Sequence, residues 1–160
     1  MTAHATPTGD PLPAVTEALH LTLELPFEDA LPYVLLEHEY VGFETVKVTR
    51  LDRMIRATLG DDVPRTALLV ICHGEVARDA LAIDPRLAGF LPCTTVVYER
   101  PGDERVHLYH VSVAKVIRDL GCAPPGTADA VAALVELTER YMTTVWENIE
   151  ANVDVAVTDR

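Results

Sequence analysis

The chain has 160 residues, of which 25 are acidic and 13 basic, a net charge of −12. That balance excludes, as expectations, counterion-driven nucleic-acid binding and attraction to an anionic membrane, and it favours solubility. Hydrophobic residues make up 49 %. A real core can therefore form, yet no apolar run approaches the roughly 20 residues that span a bilayer.

Residues 1–17 are rich in Thr, Pro and Ala without an apolar period, the composition of a disordered arm. They lack the cationic start and apolar block of a signal peptide, so the expected compartment is cytoplasmic. His20 to Leu25 alternates and reads as a strand with Leu21, Leu23 and Leu25 on one face. Pro26, Glu28 and Asp29 suit a helix start. Leu31, Val34, Leu35 and His38 or Tyr40 continue its stripe to Gly42. Pro32 predicts a kink or a late start.

Glu44 to Thr49 alternates, with Val46 and Val48 on one face. Leu51 to Leu59 has helical spacing, and Ala67 to Ile71, a continuous apolar run, reads as a strand buried on both faces. A short helix is expected over Glu75 to Ile83, then a loop to Pro92. Thr94 to Glu99 and Arg105 to Ser112 form a hairpin around Pro101-Gly102-Asp103. A helix over Val113 to Leu120 and a long one from Ala128 to about Asn152 complete the order.

The pattern is α+β: a mostly antiparallel sheet with helices packed on one face. One domain is expected over 18–152, after the arm and before a frayed tail at 153–160. On the long helix, Tyr141, Val145 and Ile149 are read as facing the sheet. Met142 and Trp146, one step around, are read as a dimer contact.

Four segments carry a family likeness. They are Gly42-Phe43-Glu44; the strand end Ile71-Cys72-His73-Gly74; the helix Glu75 to Leu81 followed by Asp84-Pro85; and Gly89-Phe90-Leu91-Pro92-Cys93-Thr94-Thr95-Val96-Val97-Tyr98-Glu99. In this order, over His20 to Ala151, the chain resembles the family called domain of unknown function 302. The resemblance implies a TATA-binding-protein-like α+β fold and a homodimer. It carries no common activity, and fold likeness alone implies no DNA binding. Where the family commonly has Asn-Pro after the first cysteine, this chain has His73-Gly74.

The candidate chemistry centres on Cys93 and Cys72. Each is read as a nucleophile, redox thiol or soft-metal ligand, or alternatively as an inert packing residue. The helix start after Cys72 offers free N–H groups, and Gly74 would admit a ligand close to the backbone. If their strands are antiparallel neighbours, Cys72, His73 and Cys93 can form a cluster suited to a metal or to haem iron. His107 and His110 fall on opposite faces of their strand, with His110 inward beside Val106 and Leu108. Glu37-His38-Glu39 lacks metal-helix spacing and reads as a solvated helix face with one partly buried member. Cys122 sits in a Pro-rich loop, and with three cysteines and no CxxC no disulfide framework is expected.

Three readings follow. The first is a small-ligand, metal or haem-binding domain with candidate ligands Cys72, His73, Gly74, Cys93 and His110. The second is a thiol-dependent enzyme or sulfur-handling protein using Cys93 or Cys72, with His73 or His110 as base. The third is a structural or regulatory dimer with inert cysteines.

Overall fold

A five-stranded sheet in the order β1-β5-β4-β3-β2, with every neighbouring pair antiparallel, forms the floor of the molecule. The structure is a computed structural model and describes residues 18–158, with side chains as far as Val153. The expected N-terminal arm lies outside the described residues. The strands are β1 (Leu19–Leu23), β2 (Phe43–Arg50), β3 (Thr66–His73), β4 (Cys93–Arg100) and β5 (Asp103–His110). The helices are α1 (Phe27–Tyr40), α2 (Leu51–Leu59), α3 (Gly74–Ile83), α4 (Val113–Leu120) and α5 (Ala128–Thr158).

Alternation decides which face is covered. In β3, Ala67, Leu69 and Ile71 are buried while Leu68, Val70 and Cys72 are half-buried. The buried set meets Phe27, Ala30 and Val34 of α1 and Met142, Val145, Trp146 and Ile149 of α5. A second apolar cluster joins α3, α4 and α5 through Val76, Ala80, Ala114, Ile117, Leu134 and Val135. The chain is thus an α+β domain whose helices, the long C-terminal one included, pack mainly on one side of the sheet.

Four local expectations change. Pro32 neither delays nor interrupts α1, which begins at Phe27 and runs through it. A β-bulge between Thr45 and Lys47 takes Val46 out of register and leaves it exposed, so Val46 and Val48 do not share a face. The loop before β4 contains a 3-10 segment, Pro85–Phe90, capped by Asp84. Finally, α5 runs to Thr158, past the expected end at Asn152.

Met142 and Trp146 require a correction. Both are buried in the protomer's own core, at 1 % and 7 % exposure, so they present no dimer surface. The inward stripe of α5 is wide enough to include them together with Val145 and Ile149.

Candidate functional site

The strand ends that carry the two cysteines do meet. β3 and β4 are antiparallel neighbours, and Ile71 pairs with Cys93. The pleat then separates the thiols. Cys93 follows its partner Ile71 onto the helix-covered face and is buried, whereas Cys72 points to the opposite face. Burial pushes the Cys93 thiol up to about 11, only partly offset by the Val113 backbone amide. Burial and then Glu44 push Cys72 up as well. Neither thiol is poised as a thiolate.

His73 is committed elsewhere. Its Nδ1 accepts the Glu75 backbone N–H at 3.3 Å and caps α3. Its ring stacks on Tyr141 with centroids 3.8 Å apart, and Tyr141 in turn donates to Glu75. The Nε2 side lies against Gly42, where an added Cβ would sit 3.1 Å away. Gly42 has φ of +98°, so that position favours glycine twice over. Nothing lies within 4 Å of a Cβ built on Gly74, so its lack of a side chain shapes no close cradle. Cys72, His73 and Cys93 therefore form no cluster. Among the described residues, no group of three His, Cys, Asp or Glu side chains has metal-binding geometry.

The structure assembles a different constellation around His110. His38 of α1 is fully buried and Glu37 is only 4 % exposed, so the expected solvated face with one partly buried member has two enclosed members and only Glu39 in solvent. His38 Nδ1 lies 2.7 Å from the Val34 carbonyl, and its Nε2 lies 3.1 Å from Thr95 Oγ1. Thr95 Oγ1 lies 3.0 Å from His110 Nδ1. Burial lowers His38 to about 4, partly offset by the Val34 carbonyl. Burial and then His38 lower His110 to about 3, partly offset by the Thr94 carbonyl. Both rings are neutral at physiological pH.

Neutrality fixes the direction of every proton in the chain. A carbonyl only accepts, so His38 Nδ1–H donates to Val34 and Nε2 is a bare lone pair. Thr95 must donate its hydroxyl hydrogen to that lone pair, and its oxygen then accepts from His110 Nδ1–H. The outcome is a lone pair on His110 Nε2. That atom is buried without a hydrogen-bond partner, as is Trp146 Nε1.

His110 lines a cavity of about 50 Å³ bounded also by Leu19, Ser112, Lys115, Thr138, Glu139, Met142 and Thr143. Ser112, Lys115, Thr138 and Met142 are buried, while Glu139 and Thr143 form an exposed rim. Lys115 Nζ pairs with Glu139 Oε1 at 2.5 Å. Ser112 caps α4 by accepting the Lys115 N–H, and Thr138 donates to the Leu134 carbonyl. A cavity of about 150 Å³ is what one benzene needs, so this space is far too small for a haem. Among the described residues no three metal-binding side chains converge here either, so the haem and metal readings do not fit.

The other histidine of β5 is satisfied. His107 faces away from His110, as the strand period predicts, but it is buried at 3 % exposure. Its Nε2 donates to Asp103 at 3.0 Å, and its Nδ1 shares a hydrogen bond with Thr22 Oγ1 at 3.2 Å. His20 and Tyr98 stack on its ring. Sequence reasoning placed His110 inward but missed Thr95 and its link to His38. The one available signal for His38 was its position four residues after Val34 on the stripe of α1.

The comparisons agree with this architecture. The family model described as "Domain of unknown function DUF302" matches residues 19–145. A crystal structure of an uncharacterized conserved protein DUF302 from Bacillus stearothermophilus superimposes with a TM-score of 0.66 at 14 % identity, covering 80 % of this chain and 94 % of that one. At that identity the likeness speaks for the fold alone. None of the curated proteins matches. Among the described residues, no helix is long and apolar enough to cross a membrane.

Proposed function

Because this chain belongs to the DUF302 family, a membership that brings no activity with it, we propose its function from geometry: it is a small-ligand-binding domain whose site is the His110 cavity. Two observations support the reading together: a buried His110 Nε2 without a hydrogen-bond partner, and a cavity that the His110 side of β5 lines. A buried acceptor without a partner costs about 1–3 kcal/mol, and an occupant that donates a hydrogen bond recovers that cost.

The wall also selects against charge. Lys115 is already neutralised by Glu139. An anion would meet the His110 lone pair, and the Lys115–Glu139 pair presents no net charge to attract either sign. A neutral molecule of a few heavy atoms, with one O–H or N–H donor for His110 and one acceptor for Lys115, satisfies both ends. The thiol-enzyme reading lacks support, since both candidate thiols are raised and the nearer histidine caps a helix.

The test is a titration with ethylene glycol, followed by the 15N signal of His110 Nε2. The expected result is a saturable shift that is absent for imidazole rings elsewhere and lost in Thr95→Val, which frees the ring's orientation. A signal unmoved at saturating diol would remove the reading. The homodimer expected from the sequence stays a separate proposal, to be decided by sedimentation. It cannot use Met142 or Trp146, which are enclosed in the protomer.

A further inference from the structure

The chain contains 13 basic residues, and only two of them, Lys47 and Lys115, are lysines. Lys47 is exposed on β2. Lys115 is buried, at 6 % exposure, and lines the same cavity as His110. Arginine serves the ion pairs across the surface, as in Arg50–Glu28, Arg65–Glu99 and Arg105–Asp103. At the cavity stands the one basic side chain type that can lose its proton and become a nucleophile.

Resting on the ligand reading above, we propose that the cavity takes a small hydroxy-aldehyde or hydroxy-ketone and that Lys115 forms a reversible Schiff base with it. The hydroxyl supplies the donor that His110 Nε2 lacks, and the carbonyl supplies the acceptor for Lys115. Glycolaldehyde is the smallest hydroxy-aldehyde, and the exposed rim of Glu139 and Thr143 leaves the small cavity accessible from solvent.

The step balances within the groups present. Glu139 Oε1, 2.5 Å from Nζ, takes one proton from the ammonium. The freed amine attacks the carbonyl carbon, and the C=O π pair moves to oxygen, which recovers that proton from Glu139. The carbinolamine nitrogen then loses a second proton to Glu139, which passes it to the departing hydroxyl. Water leaves as the nitrogen lone pair forms the C=N bond, and the imine nitrogen keeps one proton. Aldehyde plus lysine ammonium thus gives protonated imine plus water, with no oxidant, reductant or metal. His110 is a positioning residue in this scheme, because it holds the substrate hydroxyl and takes no part in bond making.

The experiment is reductive trapping of the full chain with glycolaldehyde and sodium cyanoborohydride, mapped by peptide mass spectrometry. Lys47 serves as the internal reference. Adduct at Lys115 is expected to form about tenfold faster than at Lys47. In Lys115→Arg, which keeps a cation for Glu139, the adduct at position 115 should vanish while Lys47 labelling is unchanged; circular dichroism confirms the fold. Acetaldehyde, which lacks the hydroxyl, should lose most of the preference for Lys115.

Equal labelling of the two lysines, or labelling of Lys47 alone, overturns the Schiff-base proposal. If ethylene glycol still shifts His110 in that case, the cavity remains a ligand site and only its carbonyl chemistry is wrong. If the diol fails too, the ligand reading falls with it.

Discussion

His107 and His110 stand three residues apart on one strand, and the pleat turns them to opposite faces. Each ring has a threonine hydroxyl on Nδ1, Thr22 for His107 and Thr95 for His110. Only the second nitrogen differs. In His107 it donates to Asp103; in His110 it is a buried lone pair beside a cavity. The first arrangement is complete and ties β1 and the β4–β5 hairpin together. The second is complete only with an occupant. Burial alone therefore does not mark a site, since both rings are under 4 % exposed; the missing partner does.

The sharpest way to break this comparison is the same substitution at both threonines. Thr95→Val strips the hydroxyl from between two enclosed nitrogens and should cost about 3 kcal/mol of unfolding free energy in urea. Thr22→Val removes one bond from a ring that keeps Asp103 at a more accessible position, and should cost about 1 kcal/mol. Equal losses would mean that the two relays do not differ as described.

Acid separates them next. His38 and His110 are held neutral in the folded state, at about 4 and about 3, while the unfolded chain titrates near 6.5. Below pH 6.5 the unfolded state therefore binds more protons, and stability falls with pH until the folded values are reached. Between pH 6.5 and 5 each ring should remove about 2 kcal/mol, at 1.36 kcal/mol per pH unit. The stability they contribute is fully present above 6.5. His38→Gln should flatten that slope by about half in denaturation curves taken across this range.

A smaller effect concerns the histidine that the sequence favoured as a ligand. Gly42→Ala adds a Cβ against His73 in a left-handed backbone and should cost about 2 kcal/mol. Gly60→Ala, with φ of +77° but open space around it, should cost about 1 kcal/mol. The smallest effect is at the thiols. Iodoacetamide at pH 8 should modify the exposed Cys122 first, the half-buried Cys72 more slowly and Cys93 slowest. Fast labelling of Cys93 would revive thiol chemistry.

The fold was largely legible because its signals are local. Alternation in β1, the apolar run of β3, the Pro-Gly-Asp turn and the stripe of α5 are each carried by a few neighbouring residues. The site was legible only in part. His110 was placed inward by phase with Val106 and Leu108, but its significance depends on Thr95 from a neighbouring strand, His38 from a helix and Lys115 from α4. No spacing along the chain encodes that convergence. The cysteines misled for the complementary reason. Their strands pair as hoped, and the one-residue offset between Cys72 and Cys93 in the Ile71–Cys93 register then sends the side chains to opposite faces. His73 drew attention as an unusual residue at a loop, and the loop uses it as a helix cap.

The central claim is that His110 Nε2 is a bare, buried lone pair, and a long-range 1H–15N correlation spectrum of the histidine rings at pH 7.5 tests it directly. The account predicts a neutral His110 with its proton on Nδ1 and a bare Nε2. A His110 protonated on Nε2, or a charged ring, would contradict it.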